Sequence, residues 1–265
     1  MVTNQRAVEV DSAQPVSPSV RERLERTLRR LNTAREHGEG KAQRLLGRVS
    51  TLLTKNPMGG ECGIADGLPL NVDQMLLGYM QGMFPMDAGG KLRWRCPHPR
   101  FALPLAELRP PADIEQAVDL EQFEFSFDRA PREVVEACAA DADTEWLSER
   151  LKQLYLELFA LGVMHTIEAR RGGELVGGSF GLSLGRIWTH EACFGRVAHA
   201  ADAQFVRLTR ELASRGYSCI EGQVHSEIMA RMGGRDMPVD EYRSLLARGF
   251  IAPSIPPGPA RSASR

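Results

Sequence analysis

The sequence predicts an α+β protein with a central, mostly antiparallel sheet flanked by helices. Three segments of strand character, 164–170, 175–184 and 186–194, follow one another closely. The glycine-containing breaks at 171–173 and 185 are short enough for antiparallel hairpins. Segments with helical spacing of apolar residues precede and follow these strands. With 43% hydrophobic and 25% charged residues, the 265-residue chain has the composition of a globular protein with one main core.

Residues 1–60 are predicted to form a helical, partly disordered N-terminal extension. Ser17 can cap a helix that Pro18 begins, and the stretch from Arg21 to Arg48 contains nine Lys or Arg and four Asp or Glu. This basic arm has two interpretations. In the first, its positive charges follow a phosphate backbone. In the second, they only solvate an exposed helix. The formal net charge of −1 argues against a protein that coats nucleic acid over its whole surface, but it is compatible with a local basic face.

The cysteines and the N-terminus predict a cytoplasmic protein. No C-x-x-C pair is present, so reduced thiols are expected and no metal is implied. The first residues lack the apolar core of a signal peptide, and no run of about 18 apolar residues could span a membrane. The cysteines are Cys62, Cys96, Cys138, Cys193 and Cys219.

Residues 61–98 are predicted to be a small N-terminal domain built around an apolar helix at 72–80. The main domain, 99–252, begins with an edge strand at Phe101, because Pro104 interrupts ladder hydrogen bonding. The tail, 253–265, is rich in Pro, Ser and Arg and is expected to be disordered.

The remaining elements of the main domain surround the three central strands. Two helices precede them, and a helix, a strand and two further helices follow. This order is that of the acetyltransferase-like fold often called GNAT. The helices are predicted at 131–140, 148–161, 200–215, from Ser226 and from Asp240, and the strand at 217–224.

A long motif at 67–85 begins with Gly-Leu, continues as an apolar helix and ends in Tyr79-x-x-Gly82-x-Phe84-Pro85. It resembles the signature of leucyl/phenylalanyl-tRNA–protein transferases, and further matches continue in the same order over roughly residues 65 to 250. These matches are Trp94, Pro97-x-Pro99-Arg100, the runs 144–147, 165–168 and 174–178, Glu191, Phe194 and Arg196.

This resemblance implies a GNAT-like enzyme that moves leucine or phenylalanine from aminoacyl-tRNA to proteins with an N-terminal Arg or Lys, tagging them for degradation. It also implies that no coenzyme A is needed. The residues agree independently, because the loop at 194–201 has one glycine where acyl-CoA enzymes carry a glycine-rich pyrophosphate cradle. No cofactor is therefore expected.

The resemblance implies that Gln223 and Glu221 are catalytic. The Gln223 amide oxygen would receive a hydrogen of the attacking amine, and the carboxylate would hold the amide in place. Strand alternation puts both side chains on one face, although the family has Asp where this chain has Glu221. Glu191 matches a family carboxylate that faces the acceptor, and a surface carboxylate paired with Arg196 is the alternative.

The resemblance also implies a pocket for the donor. Trp146 and Trp188 are candidates to receive the apolar side chain or to stack on the terminal adenosine, and packing in the core is the alternative for both. The pocket is completed by Phe84, Met86 and Ser179, and Arg196 and Arg100 are candidate tRNA contacts.

Two further functions remain open. A divergent acyltransferase of the same fold would use a different donor or acceptor, and a non-catalytic relative would bind tRNA or basic N-termini without transfer. A Cys-His hydrolase built on Cys193 is disfavoured, because no nucleophile motif surrounds that cysteine. A monomer is expected.

Overall fold

The structure is a computed structural model that describes residues 64–65, 70–80, 82–88, 91–119, 123–140 and 146–251. The predicted N-terminal extension, 1–60, and the predicted tail, 253–265, lie outside the described residues, and so does the stretch 141–145.

The N-terminal part contains a helix and a small antiparallel sheet. Its elements are β1 (Ile64–Ala65), α1 (Val72–Met80), β2 (Phe84–Ala88) and β3 (Lys91–Arg95), with strand order β1-β3-β2. The predicted apolar helix is confirmed as α1, which packs closely on β3. A Cβ atom added at Gly78 would collide with the Trp94 ring, so this crossing requires a glycine.

The main sheet has seven strands in the order β10-β4-β9-β8-β7-β6-β5. All neighbours are antiparallel except β8 and β9, which confirms the predicted mostly antiparallel sheet. The three predicted central strands are β6, β7 and β8. The strands are β4 (Arg100–Pro104), β5 (Glu124–Phe127), β6 (Met164–Arg171), β7 (Glu174–Leu184), β8 (Ile187–Gly195), β9 (Cys219–Gln223) and β10 (Arg235–Met237).

Six helices of the described chain accompany this sheet, and a short 3-10 helix follows β4. Ser148 caps α4 by accepting a hydrogen bond from the Leu151 amide. Pro131 begins α3 at a position where its missing N–H is harmless. The helices are α2 (Ala112–Asp119), α3 (Pro131–Ala139), α4 (Glu149–Ala160), α5 (Ala200–Ser214), α6 (Glu227–Arg231) and α7 (Val239–Ile251).

The prediction that the strand at Phe101 is an edge strand is wrong. This strand, β4, lies between β9 and β10, and β10 pairs with residues 100–102. Pro104 is the last residue of β4 and lies beyond the residues that β10 reaches, so its lack of an N–H does not prevent a second partner.

Apolar side chains cover both faces of the main sheet. On one face α5 contributes Phe205 and Leu208 to a cluster with Trp188 of β8. On the other face, Tyr155 of α4 packs in a cluster that also contains residues of α1 and α3. The predicted small N-terminal domain therefore has its own sheet but shares this cluster with the main domain.

Candidate functional site

The site lies where the two parallel strands of the main sheet separate. The pairing of β8 with β9 ends at Thr189 and Glu221. Two residues further along each strand are Glu191 and Gln223, whose side chains meet across the gap. The Gln223 amide nitrogen donates a hydrogen bond of 3.0 Å to Glu191 Oε1. Separated strand ends leave space between backbones, so polar groups there can contact a bound molecule.

Glu191 occupies an extra position in β8. Phe180 of β7 is opposite Ala192, and the next residue, Gly181, is opposite His190, so Glu191 has no partner on β7. This is a β-bulge, an irregularity that redirects a side chain within a sheet. Strand alternation alone would not predict it.

Two buried tyrosines surround the Glu191 carboxylate. The Tyr79 hydroxyl lies 2.7 Å and the Tyr155 hydroxyl 2.8 Å from Glu191 Oε2, and the two hydroxyls are 2.7 Å apart. The three short contacts join three oxygen atoms, and each contact needs one hydrogen. The two phenols supply two hydrogens, and a proton on the carboxyl group supplies the third. The geometry therefore suits a protonated Glu191.

The shifted pKa values of this cluster agree with a protonated Glu191. Burial, opposed by the three donated hydrogen bonds, raises the pKa of Glu191 to about 7. Burial and the neighbouring Glu191 raise the pKa of Tyr79 and of Tyr155 well above 10, so both phenols remain neutral donors. Near neutral pH, Glu191 is thus the group in this cluster that can change its charge.

The orientation of the Gln223 amide follows from its partner. A carboxylate oxygen of Glu191 accepts, so the amide nitrogen must face it and the amide oxygen faces away. The Gln223 backbone has φ of 66°, a left-handed conformation that residues other than glycine seldom adopt. Its backbone N–H donates to Glu221 Oε1.

Glu221 has a different partner from the one predicted. It holds the backbone of Gln223, and the carboxylate that holds the Gln223 side-chain amide is Glu191. Glu221 is fully buried and forms an ion pair of 2.9 Å with Arg100. Burial alone lowers the pKa of the Arg100 guanidinium, but the Glu221 carboxylate more than offsets this and raises it above its ordinary value.

The prediction that Arg100 contacts tRNA is wrong. Its side chain is only 1% exposed, and its guanidinium also donates to the Gly82 carbonyl at 2.7 Å. A buried, paired guanidinium cannot reach a phosphate. Arg196, the other predicted tRNA contact, is exposed, and its guanidinium carbon lies 5.4 Å from the centre of the Phe194 ring.

The structure separates the residues predicted to form the donor pocket. Phe84, Met86 and Trp146 belong to or pack against the cluster that contains Tyr155. Met86 and Trp146 are half-buried, which leaves part of each side chain accessible.

Trp188 and Ser179 lie on the opposite face of the sheet. Trp188 is fully buried in the α5 cluster, where its ring fills the space over Gly181. The Ser179 hydroxyl donates to Gln204 of α5 at 2.8 Å. Strand alternation turns these two residues toward α5, whereas Trp146 packs against the cluster that contains Tyr155. That they form one donor pocket with Trp146 stays a prediction. For Trp188, the alternative of core packing is the one observed.

Sequence reasoning missed three residues of the site: Tyr79, Tyr155 and Tyr242, whose hydroxyl donates to Glu221 Oε2 at 3.4 Å. Tyr79 stands in the long N-terminal motif and Tyr155 in the apolar stripe of α4, where the pattern indicates packing alone. The available signal was a phenol hydroxyl on a buried helix face, since such a group needs a polar partner.

Other kinds of site find no support in the described ranges. Among these residues, no three His, Cys, Asp or Glu side chains come together as metal ligands. No helix within them has the length and hydropathy to cross a membrane.

Comparison with known proteins identifies the family of this chain. The family model for leucyl/phenylalanyl-tRNA protein transferase matches residues 102–247, which contain Glu191, Glu221 and Gln223. The chain belongs to this family. A family member from Herpetosiphon aurantiacus is 32% identical over 182 residues, covering 68% of this chain and 95% of that protein. A member from Chlorobium limicola is 33% identical over 182 residues, covering 67% and 94%.

Solved structures resemble the chain only weakly. A GCN5-related N-acetyltransferase-like protein from Streptococcus suis covers 52% of this chain and 57% of that chain, with a TM-score of 0.33 and 17% identity. The L-PGS structure from Bacillus licheniformis covers 77% and 78%, with a TM-score of 0.38 and 12% identity. These similarities are too low to support an argument about function.

Proposed function

We propose that this protein transfers leucine or phenylalanine from aminoacyl-tRNA to the N-terminal Arg or Lys of acceptor proteins, tagging them for degradation. Family membership supports the reaction class. The observation that carries the proposal is the contact between Gln223 and Glu191, where an oriented amide and a carboxyl group meet between separated strands. We further propose that the protein acts in the cytoplasm as a monomer.

The chemistry requires positioning more than strong acid or base catalysis. The aminoacyl ester is already activated, so a neutral α-amine attacks its carbonyl carbon, a C–N bond forms and the C–O bond to the ribose breaks. One proton leaves the nitrogen and one joins the ribose oxygen. We infer that the Gln223 amide oxygen, turned away from Glu191, accepts a hydrogen bond from the attacking amine.

Acceptor selection is assigned to Glu191. In its ionised form Glu191 can receive hydrogen bonds from Tyr79, Tyr155 and Gln223, and since a carboxylate has about four acceptor sites, one remains for a cationic side chain. An ionised Glu191 would favour an N-terminal Arg or Lys through a charge-assisted hydrogen bond. The donor's apolar side chain is assigned to the half-buried surface of Met86 and Trp146.

The test uses purified protein, labelled leucyl- or phenylalanyl-tRNA and a peptide that begins with Arg. Labelled peptide is expected, and Gln223→Ala is expected to lose most of the transfer while keeping the wild-type circular dichroism. Gln153→Ala, an exposed glutamine on α4, is the matched control. Absence of product with both donors would refute the assignment of leucine and phenylalanine, and an active Gln223→Ala would remove Gln223 from the mechanism.

A different donor is the second candidate. It is favoured by the half-buried Met86, because an unbranched thioether side chain adapts to other shapes. Repeating the transfer assay with a panel of aminoacyl-tRNAs distinguishes this candidate, and product only from donors other than leucine and phenylalanine would support it.

A further inference from the structure

Arg100 connects four separate parts of the chain. Its guanidinium is 2.9 Å from Glu221 Oε1 on β9 and donates to the Gly82 carbonyl, after α1, at 2.7 Å. It also stacks on the Tyr242 ring of α7, with 4.7 Å between the guanidinium carbon and the ring centre. The planar guanidinium can make these contacts together because its donors point in fixed directions.

Glu221 transmits these contacts to the backbone of Gln223. Its Oε1 accepts from the Gln223 N–H, and its Oε2 accepts from the Tyr242 hydroxyl at 3.4 Å. Glu221 is fully buried, which raises the pKa of its carboxyl group, and the ion pair with Arg100 opposes this rise.

The backbone of Gln223 needs such a restraint. Its φ of 66° is unfavourable for a residue with a side chain and persists only where surrounding contacts enforce it. If Glu221 moves, the conformation at Gln223 relaxes and the amide that meets Glu191 is displaced. A shift of about 1 Å in a reacting or orienting group can cost roughly a hundredfold in rate.

We propose that Arg100, supported by Tyr242, is a positioning residue for the transfer, acting through Glu221 on the backbone of Gln223. This inference rests on the proposed function of Gln223. Arg100 is only 1% exposed, so its effect should fall on the step that Gln223 orients and leave substrate binding largely intact.

The first measurement is kinetic. Arg100→Met is expected to lower kcat roughly a hundredfold and to leave KM for tRNA and peptide within about threefold. Arg100→Lys, which retains the charge and one of the hydrogen bonds, is expected to recover part of the loss. Arg235→Lys is the matched control, because Arg235 lies on the neighbouring β10 and is exposed. A rise in KM with unchanged kcat would overturn the proposal.

The second measurement does not depend on activity. Hydrogen exchange of the Gln223 backbone amide, followed by NMR, is expected to become roughly tenfold faster in Arg100→Lys and in Tyr242→Phe, with the Arg235→Lys rate at the wild-type value. Tyr242→Phe removes one hydroxyl and keeps the ring, so it serves if the Arg100 variants do not fold. Unchanged exchange would overturn the proposal, whereas absence of transfer by the wild type would refute only the proposed function.

Discussion

Glu191→Gln should change how the stability of the protein depends on pH. Burial raises the pKa of Glu191 from 4.5 to about 7 in the folded protein. Between these values the unfolded chain releases a proton that the folded protein keeps, so stability falls as the pH rises through this range. At about 1.4 kcal/mol per pKa unit, the full loss is about 3 kcal/mol, reached above pH 7. Glutamine cannot ionise and avoids this loss.

The assay is urea unfolding of both proteins at intervals from pH 4.5 to 8.5. The free energy of unfolding of Glu191→Gln minus that of the wild type is expected to grow by up to about 3 kcal/mol over this range. Other titrating groups contribute equally to both proteins and cancel in the difference. Glu174→Gln, at the exposed start of β7, is the control and should show no such growth. A difference that stays flat across pH would refute the reasoning.

Three further predictions concern the acceptor, the N-terminal sheet and tRNA. The preference for a peptide with N-terminal Arg over one with a neutral residue should increase as the pH rises through about 7, because Glu191 then ionises; a constant ratio of kcat/KM values would contradict this. Gly78→Ala should destabilise the protein by about 1–3 kcal/mol in urea unfolding, since the new methyl group meets the Trp94 ring, and unchanged stability would contradict this close contact. Arg196→Ala should make tRNA binding less dependent on salt. The slope of the logarithm of the binding constant against the logarithm of the salt concentration should fall in magnitude by about one, and an unchanged slope would exclude a phosphate contact.

Local patterns in the sequence predicted most of the main domain. The strands β6, β7 and β8 and the helix α5 were predicted within one or two residues, because alternation, helical spacing and glycine breaks act over a few neighbouring residues. The hairpin of β2 and β3 was missed. Pro85 lies in β2, and proline argues against strand assignment when the partner strand is unknown.

The candidate residues were found more readily than their partners. Motif matches identified Glu191, Glu221 and Gln223, but the partner of the Gln223 side-chain amide was assigned to the wrong carboxylate. Glu221 is two residues away in sequence and was the natural choice, whereas Glu191 is 32 residues away and reaches Gln223 because of a bulge. Register irregularities of this kind depend on the neighbouring strand.

The sequence by itself determined the α+β class, the succession of central strands and the resemblance to one transferase family. These depend on residue types and their spacing along the chain. Only the tertiary structure decided that Arg100 is a buried partner of Glu221, that Trp188 faces α5, and that Tyr79 and Tyr155 surround Glu191. Burial and charge state are properties of contacts between distant segments. The hydroxyl of Tyr79 and the carboxyl group of Glu191 are 112 residues apart in sequence, and folding alone brings them within hydrogen-bond distance.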